Sequence, residues 1–355
     1  MTIMLFILGV VLLVLLFVDV HMTVFVPRGG AGPIDRRIYR GGWWMWRWLG
    51  DRFFSGTRRR WWLAQLGPVL MPLTILTWGV LLVAAFTLLY TPWVAGFTVS
   101  PAKTGPMGDL AKLLYYSGYS AVTLGVGDVT PSATTPRILA FIEAGLGFAL
   151  ITAGISYLLS VYNARNQSTT LSLAISHLVG RPDGQDPIDL LARTATIGSA
   201  GDLSAWMEQV SLELATLVEL IGQYPLLRYF HEPNDDRAIP LAMRDLMELT
   251  TMSRTLLDRQ AYPSLTQGPS MQAVHRLGLH FLGEGAPGQS PEPEAVIAQR
   301  RGRYEEARSR LEKADVILRS DADAWHRFAE MTSAWDLQDD GMRAALGYHT
   351  EADED

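Results

Sequence analysis

The chain has 355 residues, 48% of them hydrophobic and 19% charged, with a formal net charge of −6. The apolar residues concentrate before residue 163, and the acids gather in the remainder, ending Glu351-Ala352-Asp353-Glu354-Asp355. This composition suits a membrane-embedded part followed by a soluble part, and the lack of cysteine excludes disulfides, thiolate metal sites and cysteine nucleophiles.

Residues 3–18 form an uninterrupted apolar run, extended by Val20 and 22–26. About 20 apolar residues cross a bilayer as a helix. The run lacks a basic start and a small-residue cleavage site, so it reads as a retained first transmembrane helix (1–26) rather than a signal peptide. The connector 27–66 carries Arg28, Arg36, Arg37, Arg40, Arg47, Arg52, Arg58, Arg59 and Arg60, interleaved with Trp43, Trp44, Trp46, Trp48, Trp61 and Trp62. Tryptophan favours the membrane interface and arginine favours anionic headgroups. A helix lying on the inner leaflet is therefore expected, with anionic lipids as partners. Basic and aromatic residues also suit nucleic acid, but beside spanning helices the lipid reading is preferred and no nucleic-acid partner is expected.

A second apolar run without charge, 67–90, predicts a helix over 67–91. The stretch 92–108 contains only Lys103 as a cation. Because cytoplasmic loops hold the excess of Lys and Arg, the arginine-rich connector is placed inside, and the N-terminus and 92–108 outside. Residues after 162 are then cytoplasmic, in the inner membrane of a bacterium. Residues 109–122, with Lys112, are too short to span and suit a re-entrant pore helix capped by Asp109. Its dipole would favour a cation at its C-terminal end. Tyr115, Tyr116 and Tyr119 are expected to pack around the six residues after Val122.

Those six are Thr123-Leu124-Gly125-Val126-Gly127-Asp128. Turning successive carbonyls toward one axis demands unusual backbone angles at alternate positions, which glycine permits. Four such loops could replace the hydration shell of K⁺. The motif resembles the selectivity filter of potassium channels, T-x-G-[YF]-G-D, with Val126 standing where the aromatic usually lies. The resemblance implies K⁺ bound by the carbonyls of Thr123, Leu124, Gly125 and Val126 and by the Thr123 hydroxyl, with no other cofactor. It implies Gly127 turning the chain outward, Asp128 anchoring the outer end, and three further copies completing the ring. An Asx-turn is a second role for Asp128.

A third apolar run, 138–162, is broken only by Glu143 and predicts an inner pore helix over 136–162. A charge at that depth is a functional hypothesis by default. Glu143 is expected behind the filter, hydrogen-bonded to Tyr116 or Ser120, unless it snorkels to the outer interface. Gly145, Gly147 and Gly154 are candidates for a hinge or for close packing. Beyond the filter, 19–25 (DVHMTVF), 28–33 (RGGAGP), the connector and 224–231 (YPLLRYFH) are similar to bacterial pore-loop channels with one extra N-terminal helix and a helical tail. The fold implied is an all-α membrane protein: a tetrameric pore-loop channel with an all-α cytoplasmic C-terminal domain over 163–355.

In that tail no proline or glycine interrupts the chain from Tyr162 to Gly180, so the inner helix is expected to run on and to transmit force. Leu203, Trp206, Met207, Val210, Leu214, Leu217, Val218 and Ile221 recur at helical spacing, with Asp202 as N-cap and Gly222 as stop. Amphipathic helices are expected over 239–257, 295–318 and 323–346, with a flexible linker at 284–293. No G-x-G-x-x-G or G-K-[ST] appears. The segment from Gly302 to Ala314 resembles the first helix of a tetratricopeptide repeat, but such arrays need about three copies to bury a core, so an ordinary helical hairpin is the preferred reading. Scattered histidines and the lack of a catalytic constellation argue against an enzyme. The expected function is a homotetrameric potassium-selective channel, gated by an unidentified signal or cytoplasmic regulator at the tail. The alternatives are a weakly selective monovalent cation channel and a non-conducting membrane-anchored sensor or scaffold.

Overall fold

The computed structural model describes residues 1–26, 31–99, 107–283, 294–320, 323–346 and 348. The linker assigned to 284–293 lies outside them. The chain forms two compact units: Met1–Ser55, Gln65–Asn163 and Gly222–Phe230 make the first, and Gly56–Ala64, Ala164–Ile221 and His231–Asp355 the second.

In the first unit, α1 (Thr2–Val20) continues through a single π turn, His21–Phe25. It packs along α4 (Leu66–Leu89), and Leu16, Trp78, Leu82 and Phe86 form the core between them. Helix α2 (Pro33–Phe53) starts with proline at its first turn, where the missing N–H costs nothing. Its free N-terminal amides are met by another helix: Asp19 Oδ1 accepts from Ile34 N at 2.7 Å. This approach requires glycine at position 32, since a Cβ there would lie 2.2 Å from Asp19 Oδ1. Trp78 Nε1 donates to Asp19 Oδ2 at 3.0 Å, and the Thr23 hydroxyl donates to Asp35 Oδ2 at 2.9 Å. Burial, and then the neighbouring Asp19 carboxyl, push Asp35 up to about 7.

The connector expected as one interfacial segment over 27–66 is two helices, α2 and α3 (Gly56–Ala64), because Phe54 adopts extended backbone after α2. On α2, Asp35 and Tyr39 are buried while Trp44, Met45 and Trp48 are exposed. Helix α5 (Asp109–Ala121) and α6 (Thr134–Val179) complete the first unit's elements, α6 continuing into the second unit as one 46-residue helix. Gly180, at φ +92°, follows its last residue and lets the chain turn away. The loop expected at 92–108 contains structure: a 3-10 turn, Thr91–Gly96, leads into β1 (Phe97–Val99). This strand pairs antiparallel with β2 (Val129–Pro131) in the register Phe97↔Pro131.

The second unit is helical apart from one isolated bridge, Leu257↔Leu318, among the described residues. Helix α7 (Pro187–Ile197) opens with a reciprocal capping box between Asp186 and Asp189. Helix α8 (Ala200–Gln223) begins before Asp202 and passes Gly222, so neither is the terminus expected of it. Helix α9 (Ile239–Thr255) is buried on all sides, even at Asp245 and Glu248. It is flanked by α7, α10 (Pro263–Thr266), α11 (Pro269–Leu282), α13 (Ala324–Ser333) and α14 (Asp336–Leu346). The helix expected over 295–318 is α12 (Glu294–Lys313), shortened because Asp315 turns at φ +56° into the bridge at Leu318. The helix expected over 323–346 divides into α13 and α14.

Candidate pore region

The site begins with α5. Gly108 is its N-cap and contributes no side-chain bond, so the cap expected from Asp109 is absent. Asp109 is the first helical residue and pairs with Lys112 at 3.2 Å, while the Lys112 ammonium also donates to the Val94 carbonyl at 3.1 Å. At the other end, Thr123 N donates to Ser120 O at 3.0 Å and Leu124 N to Tyr119 O at 2.8 Å. These bonds close the helix and deliver the chain into the loop that begins at Thr123.

Thr123, Gly125 and Gly127 have φ of 57°, 60° and 74°. Left-handed backbone at every second residue alternates with ordinary backbone at Leu124 and Val126. Such alternation turns neighbouring peptide planes so that successive carbonyls share one side. Two of the three positions are glycines, for which the conformation carries no Cβ penalty. Thr123 takes it without that advantage, a strain of the kind found at functional sites. Leu124 is 69% exposed and Val126 40% exposed, so this face of the segment is uncovered within one chain.

The C-terminal end of the loop is tied by two tyrosines one helical turn apart. Tyr115 donates to Asp128 Oδ2 at 2.9 Å, and Tyr119 donates to the Val129 carbonyl. Expected as packing residues, they hold the exit of the segment by hydrogen bonds. The i, i+4 spacing of Tyr115 and Tyr119 is the sequence signal for that shared role. Asp128 itself is buried and followed directly by β2. Tyr116, on another face of α5, stands edge-on to Phe97, Tyr90 and Tyr119 at centroid distances of 4.9, 5.2 and 5.3 Å.

Glu143 is fully buried on α6. Its expected partners, Tyr116 and Ser120, are replaced by others: Tyr90 donates to Oε2 at 2.7 Å, and Ser117 meets Oε1. Ser120, one helical turn after Ser117, partners Tyr116 instead. Tyr90, at the end of α4, was missed by sequence reasoning because nothing local links positions 90 and 143. One carboxylate thus joins α4, α5 and α6 behind the loop.

The three glycines of α6 differ. A Cβ at Gly147 would lie 1.9 Å from the Ala121 carbonyl oxygen, at the end of α5, and one at Gly154 would lie 3.0 Å from Ile75. Both are close-packing positions. A Cβ at Gly145 would meet nothing within 4 Å. Helix α6 runs unbroken through all three. Phe141, Phe148, Ile151, Ile155 and Leu159 on the same helix are exposed.

Helices within Thr2–Phe25, Arg58–Leu89 and Thr134–Val179 are long and apolar enough to cross a membrane. Residues 73–163 match the family described as "Ion channel". The matched stretch runs from α4 through the Gly125–Gly127 loop into α6 and supports an ion channel. The chain is also similar to an uncharacterized membrane protein of Bacillus subtilis (strain 168), YdjJ, at 26% identity over 307 residues, covering 83% of this chain and 84% of the relative. No solved structure matches it. With its apolar helices and near absence of sheet, this is an all-α membrane protein carrying an ion-channel domain.

Proposed function

We propose that four copies of this chain form a potassium-selective channel in a bacterial inner membrane. The observation that carries the reading is the alternating left-handed backbone at Thr123, Gly125 and Gly127, placed directly after a 13-residue helix inside the ion-channel match. The carbonyls of Thr123, Leu124, Gly125 and Val126 and the Thr123 hydroxyl coordinate K⁺, and Asp128 anchors the outer end. One loop per chain supplies a quarter of a coordination shell, so a closed ring needs four. The uncovered Leu124 and Val126 and the exposed face of α6 are where the other copies fit.

The arginine distribution supports an outside N-terminus and a cytoplasmic tail. Trp44 and Trp48, exposed on α2 beside its arginines, suit contact with anionic headgroups. The tail receives the gating signal. Val126 favours one second reading, a weakly selective monovalent cation channel, because the ring usual at that position is missing.

Flux into liposomes tests both readings. The expected result is K⁺ uptake well ahead of Na⁺, lost in Gly127→Ala, whose φ of 74° disfavours a Cβ. Equal K⁺ and Na⁺ flux would leave the weakly selective channel. No flux of either ion, from the full chain or from one ending at Leu178, would leave a membrane-anchored scaffold.

A further inference from the structure

The junction of α1 and α2 buries two carboxyls that the proposed ion path does not use. Asp19 and Asp35 are both 0% exposed and lie within hydrogen-bonding reach of each other. Their donors are unequal. Asp19 accepts from Trp78 Nε1 at 3.0 Å, from Ile34 N at 2.7 Å and from Asp35 N at 3.4 Å, at the positive end of the α2 dipole. Asp35 accepts from the Thr23 hydroxyl through Oδ2, and its Oδ1 has no partner. Three N–H donors suit a charged carboxylate, whereas a single hydroxyl leaves most of a carboxylate's lone pairs unmet. Two like charges in one buried site disfavour each other, so one of the acids is driven to keep its proton.

Among the described residues, the groups around Asp35 bring no compensating cation. On its own helix, Arg36 and Arg37 turn to the carbonyls of Ala31 and Pro33. His21, in the π turn, is exposed and stacks on Phe25. Helix α4 contains no ionisable residue. The phenols of Tyr39 on α2 and Tyr157 on α6 feel the charge of Asp35 but carry no positive charge. Arg40 and Arg228 act on Tyr229, which lies beyond the Tyr39 ring.

A proton answers both the repulsion and the orphan oxygen. Placed on Asp35 Oδ1, it removes the second charge and makes that atom a donor to Asp19. A hard metal ion would need about six oxygens, and no cluster of acids and histidines able to hold one occurs among the described residues. Burial, and then Asp19, push Asp35 up to about 7, so the proton is exchanged near neutral pH.

The same carboxyls anchor α2. The first amides of a helix have no intrahelical partner, and here Asp19 satisfies those of Ile34 and Asp35 while Thr23 takes that of Gly32. One turn further on, Tyr39 shares a core with Leu70 and Met71 of α4 and Tyr157 and Val161 of α6. A shift at the start of α2 is therefore felt by the inner helix.

We propose that Asp35 and Asp19 share one proton that latches the N-terminus of α2 to α1, and that release of this proton to water loosens the latch and changes ion flux. The effect on flux rests on the channel proposed above. The latch does not, because it is read on backbone amides.

Hydrogen exchange of the full chain in lipid nanodiscs tests it, followed by mass spectrometry over residues 31–36 and corrected for the intrinsic rate at each pH. Protection is expected to fall about tenfold between about pH 6 and about pH 8, the change given by a group titrating near 7 that is an ordinary aspartate once released. Asp35→Asn mimics the protonated acid, with an amide that donates to Asp19, and should stay protected at both pH values. Thr23→Val removes the hydroxyl that favours the charged form and should move the transition to higher pH; it decides the matter if Asp35→Asn fails to fold. Potassium flux into liposomes, with the same pH on both sides, should change over that range in the native chain and stay level in Asp35→Asn. Protection independent of pH in the native chain, or equally pH-dependent in Asp35→Asn, would overturn the proposal. So would a pH-dependent latch beside a flux that ignores it. If no ion passes at any pH, the channel reading fails, and hydrogen exchange alone decides whether the latch exists.

Discussion

The two units bury acids by different chemistry. In the first, Asp19, Asp35, Asp128 and Glu143 are buried, and their described donors are an indole, backbone N–H groups and the hydroxyls of Thr23, Tyr115, Ser117 and Tyr90. In the second, the buried acids Asp245, Glu248 and Asp339 meet Arg181, Arg303 and Arg343. The electrostatic consequence differs residue by residue: burial still outweighs the arginines at Asp245 and at Asp339, the latter pushed up to about 6. Burial and Asp19 push Asp35 up to about 7. Burial alone would raise Glu248 too, but Arg303 and Arg244 hold it below the ordinary glutamate range. A long arginine needs a place for its own charge, which the second unit offers among its own acids and the apolar first unit does not. Hydroxyl and indole donors satisfy a carboxylate without bringing in a second ion.

Arg181→Ala is the severest way to break this contrast. Arg181 binds both oxygens of Asp245, at 2.5 and 2.7 Å, and its loss strands a buried charge. Chemical denaturation of the full chain should show about 3–5 kcal/mol lost; a loss below about 1 kcal/mol would mean that Asp245 is held by something other than its arginine.

Asp35 gives the pH signature of the other unit. Its folded value of about 7 lies above the ordinary aspartate value of 3.8, so between those limits the folded state holds a proton the unfolded state has released. The contribution of Asp35 to stability should therefore be greatest below about pH 4, fall as pH rises towards about 7, and level off above. The slope can reach about 1.4 kcal/mol per pH unit. Melting temperature against pH, compared with Asp35→Asn, checks this: the variant should lose that part of the slope, and an unchanged slope would assign it to another group.

A smaller effect is expected from Tyr90→Phe, which removes one of two donors to Glu143 and leaves a buried oxygen unsatisfied. The expected cost is about 1–3 kcal/mol, and no change in the denaturation midpoint would show that water takes the place of the phenol. The smallest belongs to an exposed pair. Glu305 and Arg301 lie 3.3 Å apart with both side chains more than half exposed. Glu305→Gln should shift stability by less than about 0.5 kcal/mol, and a larger shift would show that counting ion pairs, rather than their burial, explains the second unit.

Much of the architecture is legible without coordinates. The apolar runs are long enough and free enough of charge to name the spanning helices, because crossing hydrocarbon is a local requirement on length and polarity. The end of α6 is marked by Gly180, and the left-handed backbone by Gly125 and Gly127, since glycine alone takes those angles cheaply. Thr123 shares the same conformation, and no feature of a threonine announces it. Periodicity finds α9 but reads it as amphipathic, because a helix surrounded by its neighbours hides even Asp245 and Glu248. The division of 323–346 into α13 and α14 escapes the same reading, since the apolar pattern continues across the break.

What the sequence by itself determines here is whatever a segment must satisfy alone: length, hydropathy, and the few angles that demand glycine. Tertiary structure alone decides which donors meet Glu143, at separations of 26 and 53 residues. It alone decides that Gly147 and Gly154 are contacts while Gly145 is open. The same holds for the buried atoms Arg303 Nε, Thr332 Oγ1 and Asp339 Oδ1, which meet no hydrogen-bond partner. The reason is physical: a hydrogen bond or a contact belongs to two segments at once, and neither segment's pattern contains the other.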